Sequence, residues 1–475
     1  MKPFIHLFNS SESYYFYDVN TDSIIEIDQE LFNDLKLQQE KPEYMIKNRD
    51  SNIKIDNLKK AGFLKHNQVK ESEHPATEFI EFYLKSYVST LILQVTQNCN
   101  LRCEYCIYSG SYKNRVHNNK RMNFEMAKKG IDYLILHSSD CPILNISFYG
   151  GEPLLEMELI KKSIAYANDL SIGKEINYSL TTNGTLLTIE EINFFVENNV
   201  SLVFSLDGPE DVHNKSRKFL DGKGSFDLLI SNILFIKESY PDYYRTHVSY
   251  STVLNVENGF SCVDDFISYN ELFEESFFSA SIINPNYSKR GYLVSEDYLV
   301  ERRYEDFKVF LSKLGKLSNK DISKIADLEF EAFMVKRKES KYGTRRELPE
   351  KFHHSGPCIP GTFRLFLTVD GDFYPCERVS EISKLAKLGN IDTGIDVEAA
   401  KKMLNVELFS TEKCRECWAY SNCEVCIAFI DDTEEFSEKL LNSQCRRIRD
   451  KFEGQLKDYC VLESLLKNRQ RGRRT

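Results

Sequence analysis

The sequence has no uninterrupted apolar stretch long enough to cross a bilayer as a helix, so it encodes no membrane span. Its start, "MKPFIHLFNSSESYYFYDV", lacks the basic flank, apolar core and small-residue cleavage site of a secretory signal, so the expected location is the cytoplasm and no membrane partner is expected. An excess of positive charge is also missing. Lys and Arg number 62 against 72 Asp and Glu, for a net charge of −10, which argues against nucleic acid as a partner. The tail "KNRQRGRRT" is the basic exception and reads as a solvated end. With 41% hydrophobic and 28% charged residues, the 475-residue chain reads as a globular protein of two or three domains.

What the sequence has instead is cysteine, 13 in all. A reducing compartment disfavours a disulfide framework, which leaves metal ligation as the leading explanation. Cys141, Cys262 and Cys460 stand alone and read as small buried hydrophobes; the other ten cluster.

The texture changes along the chain. Residues 1–85 begin with three short strands, "FIHLF", "YYFYDV" and "SIIEID", the last two forming a hairpin through "NTD". Helical stretches follow, with Leu31 and Leu35 on one face and Ile55, Leu58 and Ala61 on another, as in a winged-helix-like domain. Residues 88–296 alternate β-rich runs with helical segments: "STLILQVT", "ILNISFYGG", "INYSLTTNG", "SLVFSLDG", "HVSYSTVLN" and "SFFSASIINP". Six βα units with polar or glycine-bearing motifs after the strands predict an α/β fold, a partial (β/α)6 barrel with its chemistry at the C-terminal strand ends. A charged helical bridge is expected over 297–350, with Phe307, Phe310, Leu311 and Leu314 at core spacing. A cysteine-punctuated region over 356–450 has little core of its own, and a C-terminal helix and basic tail occupy 451–475.

"NCNLRCEYC" places Cys99, Cys103 and Cys106 directly after the first apolar strand. A structural zinc site asks for a fourth protein ligand, which would have to be distant. Three thiolates fit better a cubane iron–sulfur cluster with one iron left free of cysteine. "GGEP" (Gly150, Gly151, Glu152, Pro153), "TTNG" (Asn183, Gly184) and "SLDG" (Ser205, Asp207) follow on the next strand ends. The cysteine spacing, with Tyr105 before the third cysteine, and the order of these motifs resemble the radical S-adenosylmethionine enzymes.

That resemblance implies that S-adenosylmethionine chelates the free iron. The "GGE" turn would offer backbone carbonyls and an exposed carboxylate to its amino group, and Ser205 and Asp207 would meet its ribose. Arg217 is either a partner of the methionyl carboxylate or a surface arginine. In the family, one electron from the cluster, supplied by a donor such as flavodoxin or ferredoxin, cleaves the sulfonium C–S bond. The 5′-deoxyadenosyl radical then takes hydrogen from an unactivated C–H bond.

The C-terminal cysteines, Cys358, Cys376, Cys414, Cys417, Cys423, Cys426 and Cys445, resemble the SPASM domain of peptide-modifying radical enzymes, with its two auxiliary 4Fe-4S clusters. "CEVC" departs from the family by one residue before the last cysteine of the middle group. The resemblance assigns Cys414, Cys417, Cys423 and Cys445 to an outer cluster and Cys358, Cys376 and Cys426 to an inner one. The inner cluster is then a ligand short, which either Cys460 or a substrate thiolate would supply. Glu377, next to Cys376, stands where relatives carry a general base; a structural carboxylate is the alternative.

The N-terminal strands resemble, by pattern and order, the leader-recognition domain of peptide-maturation enzymes, which accept an extended leader peptide at a sheet edge. Taken whole, the chain resembles the sactipeptide and ranthipeptide maturases. These install thioether crosslinks between cysteine sulfur and an acceptor carbon of a cysteine-rich precursor, using three 4Fe-4S clusters and S-adenosylmethionine. Side-chain oxidation of the sulfatase-maturation type, carbon–carbon crosslinking and a non-catalytic iron–sulfur peptide-binding protein are the alternatives.

Overall fold

The computed structural model describes residues 2–472 except 42, 107, 109–110, 116, 171–172, 343–346 and 355–357, with backbone only at 338–342, 411 and 468–472. Parts of all five expected regions therefore lie outside the described residues: 1 and 42 of the N-terminal domain, 107, 109–110, 116 and 171–172 of the barrel, 343–346 of the bridge, 356–357 of the cysteine-rich region and 473–475 of the tail.

The chain opens with an antiparallel sheet of β1 (Ile5–Ser10), β2 (Ser13–Asp18) and β3 (Ser23–Ile27). Side chains alternate across a strand, so this sheet has two apolar faces. Ile5, Phe16 and Ile25 face the helices Gln29–Glu40 and Arg49–Lys60, meeting Leu31, Leu35 and Ile55. Phe8, Tyr15 and Tyr17 face the other way, onto Tyr420, Phe452 and Leu456 near the C-terminus. Asp28 and Asn48 start the two helices by accepting backbone N–H bonds at their first turns.

After the short strand β4 (Glu71–Ser72) comes the main sheet, with strands β5 (Thr90–Thr96), β6 (Ile143–Gly150), β7 (Glu175–Thr182), β8 (Ser201–Ser205), β9 (Val248–Leu254) and β10 (Phe277–Ile282). They pair in parallel and in chain order, with helices between them, as six successive βα units require. β11 (Lys351–Phe352) pairs with β4. β12 (Leu365–Leu367) then adds in parallel to the free edge of β5, and β13 (Asp372–Tyr374), β14 (Gly389–Asn390) and β15 (Gly394–Ile395) continue antiparallel, for ten strands in all. The fold is mixed α/β around one large sheet, and its main core draws on residues from Ala76 to Ala428.

Three sequence expectations are corrected. The terminal helix runs Glu438–Gly472, starting ahead of residue 451, because Cys445 and Ile448 already belong to its packed face. Phe307 is exposed, while Phe310 and Leu314 pack against the core that holds Phe8, Tyr17 and Phe452. Cys262 is exposed at the start of the helix Ser261–Tyr269, whereas Cys141 and Cys460 are buried. Among the described residues no helix is long and apolar enough to cross a membrane.

Candidate functional site

The C-terminal ends of β5 to β8 meet around the loop that carries Cys99, Cys103 and Cys106. The turn after β6 is pinned to this loop by Gly151 N–H to the Thr96 carbonyl (2.9 Å) and Glu152 N–H to the Asn98 carbonyl (2.8 Å). Gly150, at φ +144°, and Gly151 are small because the loop backbone lies against them. A Cβ would sit 2.1 Å from Thr96 O in the first case and 2.0 Å from Asn98 O in the second.

Glu152 is not the exposed carboxylate expected from the motif. It is 1% exposed, and its oxygens accept from the Leu154 N–H (3.0 Å), the Thr182 hydroxyl (2.7 Å) and the Asn183 N–H (2.8 Å), tying the end of β6 to that of β7. A carboxylate buried this deeply is held by such donors; burial alone raises its pKa and these bonds oppose that. The Asn183 amide in turn donates to Asn100 Oδ1 (2.9 Å) in the cysteine loop.

Asp207 and Arg217 find each other. Arg217 Nε donates to Asp207 Oδ2 (2.9 Å), Tyr105 OH donates to the same oxygen, and the Val253 N–H reaches Oδ1 (3.1 Å). The guanidinium also stands over the Tyr105 ring, 5.5 Å from its centroid. Arg217 is therefore no surface arginine. With Asp207 it holds Tyr105, the neighbour of Cys106, from below. Ser205 ends β8 half-buried, and its hydroxyl has no side-chain partner among the described residues.

Sequence reading missed a second buried group beneath the loop. Glu381 accepts from Gln94, Gln97 and Tyr108 and pairs with Arg115 at 2.9 Å. Glu381 stands far along the chain from these partners, so no spacing signal links it to them. His213 was also missed: it accepts the Asp207 N–H (3.4 Å), and burial pushes its pKa down to about 4. Unfolded histidine titrates near 6.5, so the unfolded chain binds the extra proton first as pH falls. Stability contributed by neutral His213 is complete above pH 6.5 and declines toward pH 4. By pH 5 the expected loss is about 2 kcal/mol. Urea unfolding of wild type and His213→Gln at pH 7 and pH 5 checks this, since only the wild type should show that part of the decline.

The cysteines gather in three groups. Cys103 and Cys106 raise the pKa of Cys99, and Cys106 raises that of Cys103; burial is the larger cause and pushes Cys103 up to about 12. The Leu101 and Tyr108 N–H groups point at Cys99 Sγ (3.3 Å) and Cys106 Sγ (3.4 Å). Cys376 and Cys426 are neighbours, as are Cys426 and Cys358, and Cys358 is exposed. Cys414, Cys417, Cys423 and Cys445 form the third group, with burial pushing Cys414 and Cys423 up to about 12. Cys460 belongs to none of them and packs beside Tyr15 of the N-terminal sheet. Glu377 sits beside Cys376 with Oε1 on Arg364 Nη1 (2.8 Å); its Oε2 is buried with no partner among the described residues.

Residues 93–259, which carry all of these strand-end motifs, match the family model of the radical SAM superfamily. An uncharacterised protein of Methanocaldococcus jannaschii is 31% identical over 226 residues, 48% of this chain and 71% of that protein. The chain belongs to the radical S-adenosylmethionine superfamily. A cysteine-type anaerobic sulfatase-maturating enzyme of Clostridium novyi is 26% identical over 353 residues, 71% of this chain and 86% of that one. A solved structure of native anSMEcpe with bound AdoMet shares the fold at a TM-score of 0.58 and 22% identity, covering 79% of this chain and 99% of that chain.

Membership in the superfamily implies S-adenosylmethionine and a 4Fe-4S cluster. The first cysteine group fits the cluster. Burial makes three bare thiolates costly side by side, and bound iron supplies the compensating charge, while two N–H groups already aim at the sulfurs. Among the described residues no three ligating side chains surround a single point, as one metal ion would need. A cubane is less demanding, because each thiolate binds a different iron.

Proposed function

We propose that this radical SAM enzyme installs thioether crosslinks in a cysteine-rich precursor peptide. The observation that carries the reading is the incomplete inner group. Cys358, Cys376 and Cys426 lie near one another, and Cys460, the distant candidate for a fourth ligand, is packed against the N-terminal sheet instead. A peptide thiolate is then the natural fourth ligand, held deprotonated near the radical centre. Cys414, Cys417, Cys423 and Cys445 are the ligand set of the outer auxiliary cluster, which brings the total to three 4Fe-4S clusters.

When bound, S-adenosylmethionine and its reduced cluster would supply a radical able to take hydrogen from an unactivated C–H bond. Around them, Gly150 and Gly151 keep the strand ends close and Asp207 and Arg217 fix Tyr105. Ser205 keeps a free hydroxyl for the cofactor's ribose. Glu377, whose buried Oε2 has no partner among the described residues, would serve as the base that takes a proton from the substrate. The three-stranded N-terminal sheet offers β3 as an edge for an extended leader. Each link removes two hydrogens from the peptide, one as an atom and one as a proton, and one electron leaves to an auxiliary cluster.

Oxidation of a single side chain is the second reading. It is favoured by the same Glu377 oxygen and by similarity to a sulfatase-maturating enzyme over 71% of the chain. Anaerobic reconstitution with a cysteine-rich precursor, tandem mass spectrometry and thiol alkylation separates the two. Crosslinking is expected to lower the peptide mass by about 2 Da per link, the weight of the two hydrogens lost, and to consume one alkylatable thiol each time. A loss of mass with every thiol still alkylatable rules out the thioether and leaves side-chain oxidation at a residue other than cysteine or a carbon–carbon link, which the fragment ions tell apart. Cleaved S-adenosylmethionine with an unchanged peptide sinks both.

A further inference from the structure

The outer cysteine group is not held by its own region alone. Cys414, near the end of the short helix Thr411–Arg415, and Cys417 and Cys423, in the segment after it, each have a chain neighbour fastened to residues 4–70. Beside Cys414, the Arg415 carbonyl accepts from Asn67 Nδ2 (2.7 Å), and the Arg415 guanidinium donates to the Lys70 carbonyl (2.7 Å). Beside Cys417, the Trp418 ring stacks on His6 with centroids 3.7 Å apart and planes 7° from parallel. Beside Cys423, Asn422 Nδ2 donates to Tyr17 OH (3.0 Å).

That last contact opens a closed network. Tyr17 OH donates to Asp22 Oδ1 (2.6 Å), and Arg337 Nη2 donates to both Asp22 oxygens (2.8 and 2.7 Å) from the helix Lys324–Tyr342. Tyr17 is fully buried and Arg337 is 3% exposed. The carboxylate that ends the network belongs to the β2–β3 turn, where Asp22 takes a left-handed φ of +50°. A non-glycine residue in that conformation persists when its surroundings fix it, and here the arginine does so. Apolar packing follows the same seam: Tyr15, Tyr17 and Val19 share a core with Ala419, Tyr420, Phe452 and the flanks of Cys414 and Cys417.

We infer that the N-terminal sheet is a wall of the outer cysteine site, with Tyr17, Asp22, Arg337 and His6 acting as positioning residues for the Cys414–Cys423 segment. The inference rests on the outer group holding a cluster, as proposed above. Its consequence is that the sheet offered to a peptide and the outer cluster are mechanically one unit, so a change at either is felt at the other.

Full-length enzyme, reconstituted anaerobically, tests this through the metal rather than through turnover. Cys445→Ala first identifies the outer cluster as the iron and electron paramagnetic resonance signal that disappears. Tyr17→Phe removes one hydroxyl and keeps the ring, so the fold is retained. His6→Ala removes the stack on Trp418 from the partly open side. Arg337→Met breaks the network at its charged end. In Tyr17→Phe and His6→Ala, iron of the outer cluster is expected to pass to a chelator about tenfold faster, the scale set by losing one or two kcal/mol of positioning. Its resonance signal should shift as well. Cleavage of S-adenosylmethionine without peptide, which reports the radical site, should stay within about twofold. Unchanged chelation rates and spectra in both of these variants overturn the inference while leaving the ligand assignment standing. If Cys445→Ala removes no iron, the cluster assignment itself has failed and the inference goes with it.

Discussion

Replacing Gly151 by alanine is expected to cut S-adenosylmethionine cleavage by about 100-fold or more in a chain that still folds. The added Cβ would stand 2.0 Å from Asn98 O, 2.5 Å from Asn98 C and 3.1 Å from Cys99 N. All three are backbone atoms, so no rotamer change relieves the overlap. Either the end of β6 or the cysteine loop must retreat by about 1 Å to reach the shortest contacts real Cβ atoms show. Displacements of that size at a reacting centre typically cost about two orders of magnitude in rate. Gly151 has no positive φ, unlike Gly150, so the substitution adds no backbone strain and isolates the steric effect. Gly454→Ala, with open space around its Cβ, is the matched control. Chromatographic assay of 5′-deoxyadenosine, with circular dichroism to verify folding, decides the matter. A loss smaller than about threefold would mean the strand ends can part without disturbing the cysteines.

The second large effect concerns stability. Arg217→Met leaves Asp207, whose side chain is 3% exposed, without its cation. Removing one partner of a buried ion pair costs about 3–5 kcal/mol, because the remaining charge keeps its desolvation penalty. Asp207 retains the Tyr105 hydroxyl and the Val253 N–H, which places the expected loss toward the lower end of that range. The double variant Asp207→Asn/Arg217→Met removes the stranded charge and should recover a large part of it. Urea unfolding of the metal-free chain measures all three proteins. A single-variant loss under about 1 kcal/mol would show that water reaches the pair.

These positions also mark where sequence reasoning stops. The strand order from β5 to β10 was legible because each apolar run ended in a motif with its own glycine or polar signature, and sequential parallel strands have few alternative arrangements. The destination of each polar side chain was not. Glu152 read as facing the cofactor and Arg217 as either a cofactor partner or a surface arginine, yet the groups they meet are Thr182, Asn183 and Asp207 of the protein itself. A motif fixes where a residue stands on a strand end, but its partners depend on neighbouring strands. β12 to β15 are two or three residues long and leave no periodicity to read. The two apolar faces of the N-terminal sheet were present in the alternation of Tyr15, Phe16 and Tyr17, but what covers the second face comes from the far end of the chain.

The pairing of β12 with β5 also sets a clock for synthesis. β5 is among the first strands of the large sheet to leave the ribosome, and its second neighbour arrives only when Leu365–Leu367 has been made. Until then its backbone donors and acceptors line an open edge beside Leu91, Ile92 and Leu93, an invitation to wrong partners that natural sheets normally suppress. The oldest barrel strand is therefore complete only once the cysteine-rich region has been made.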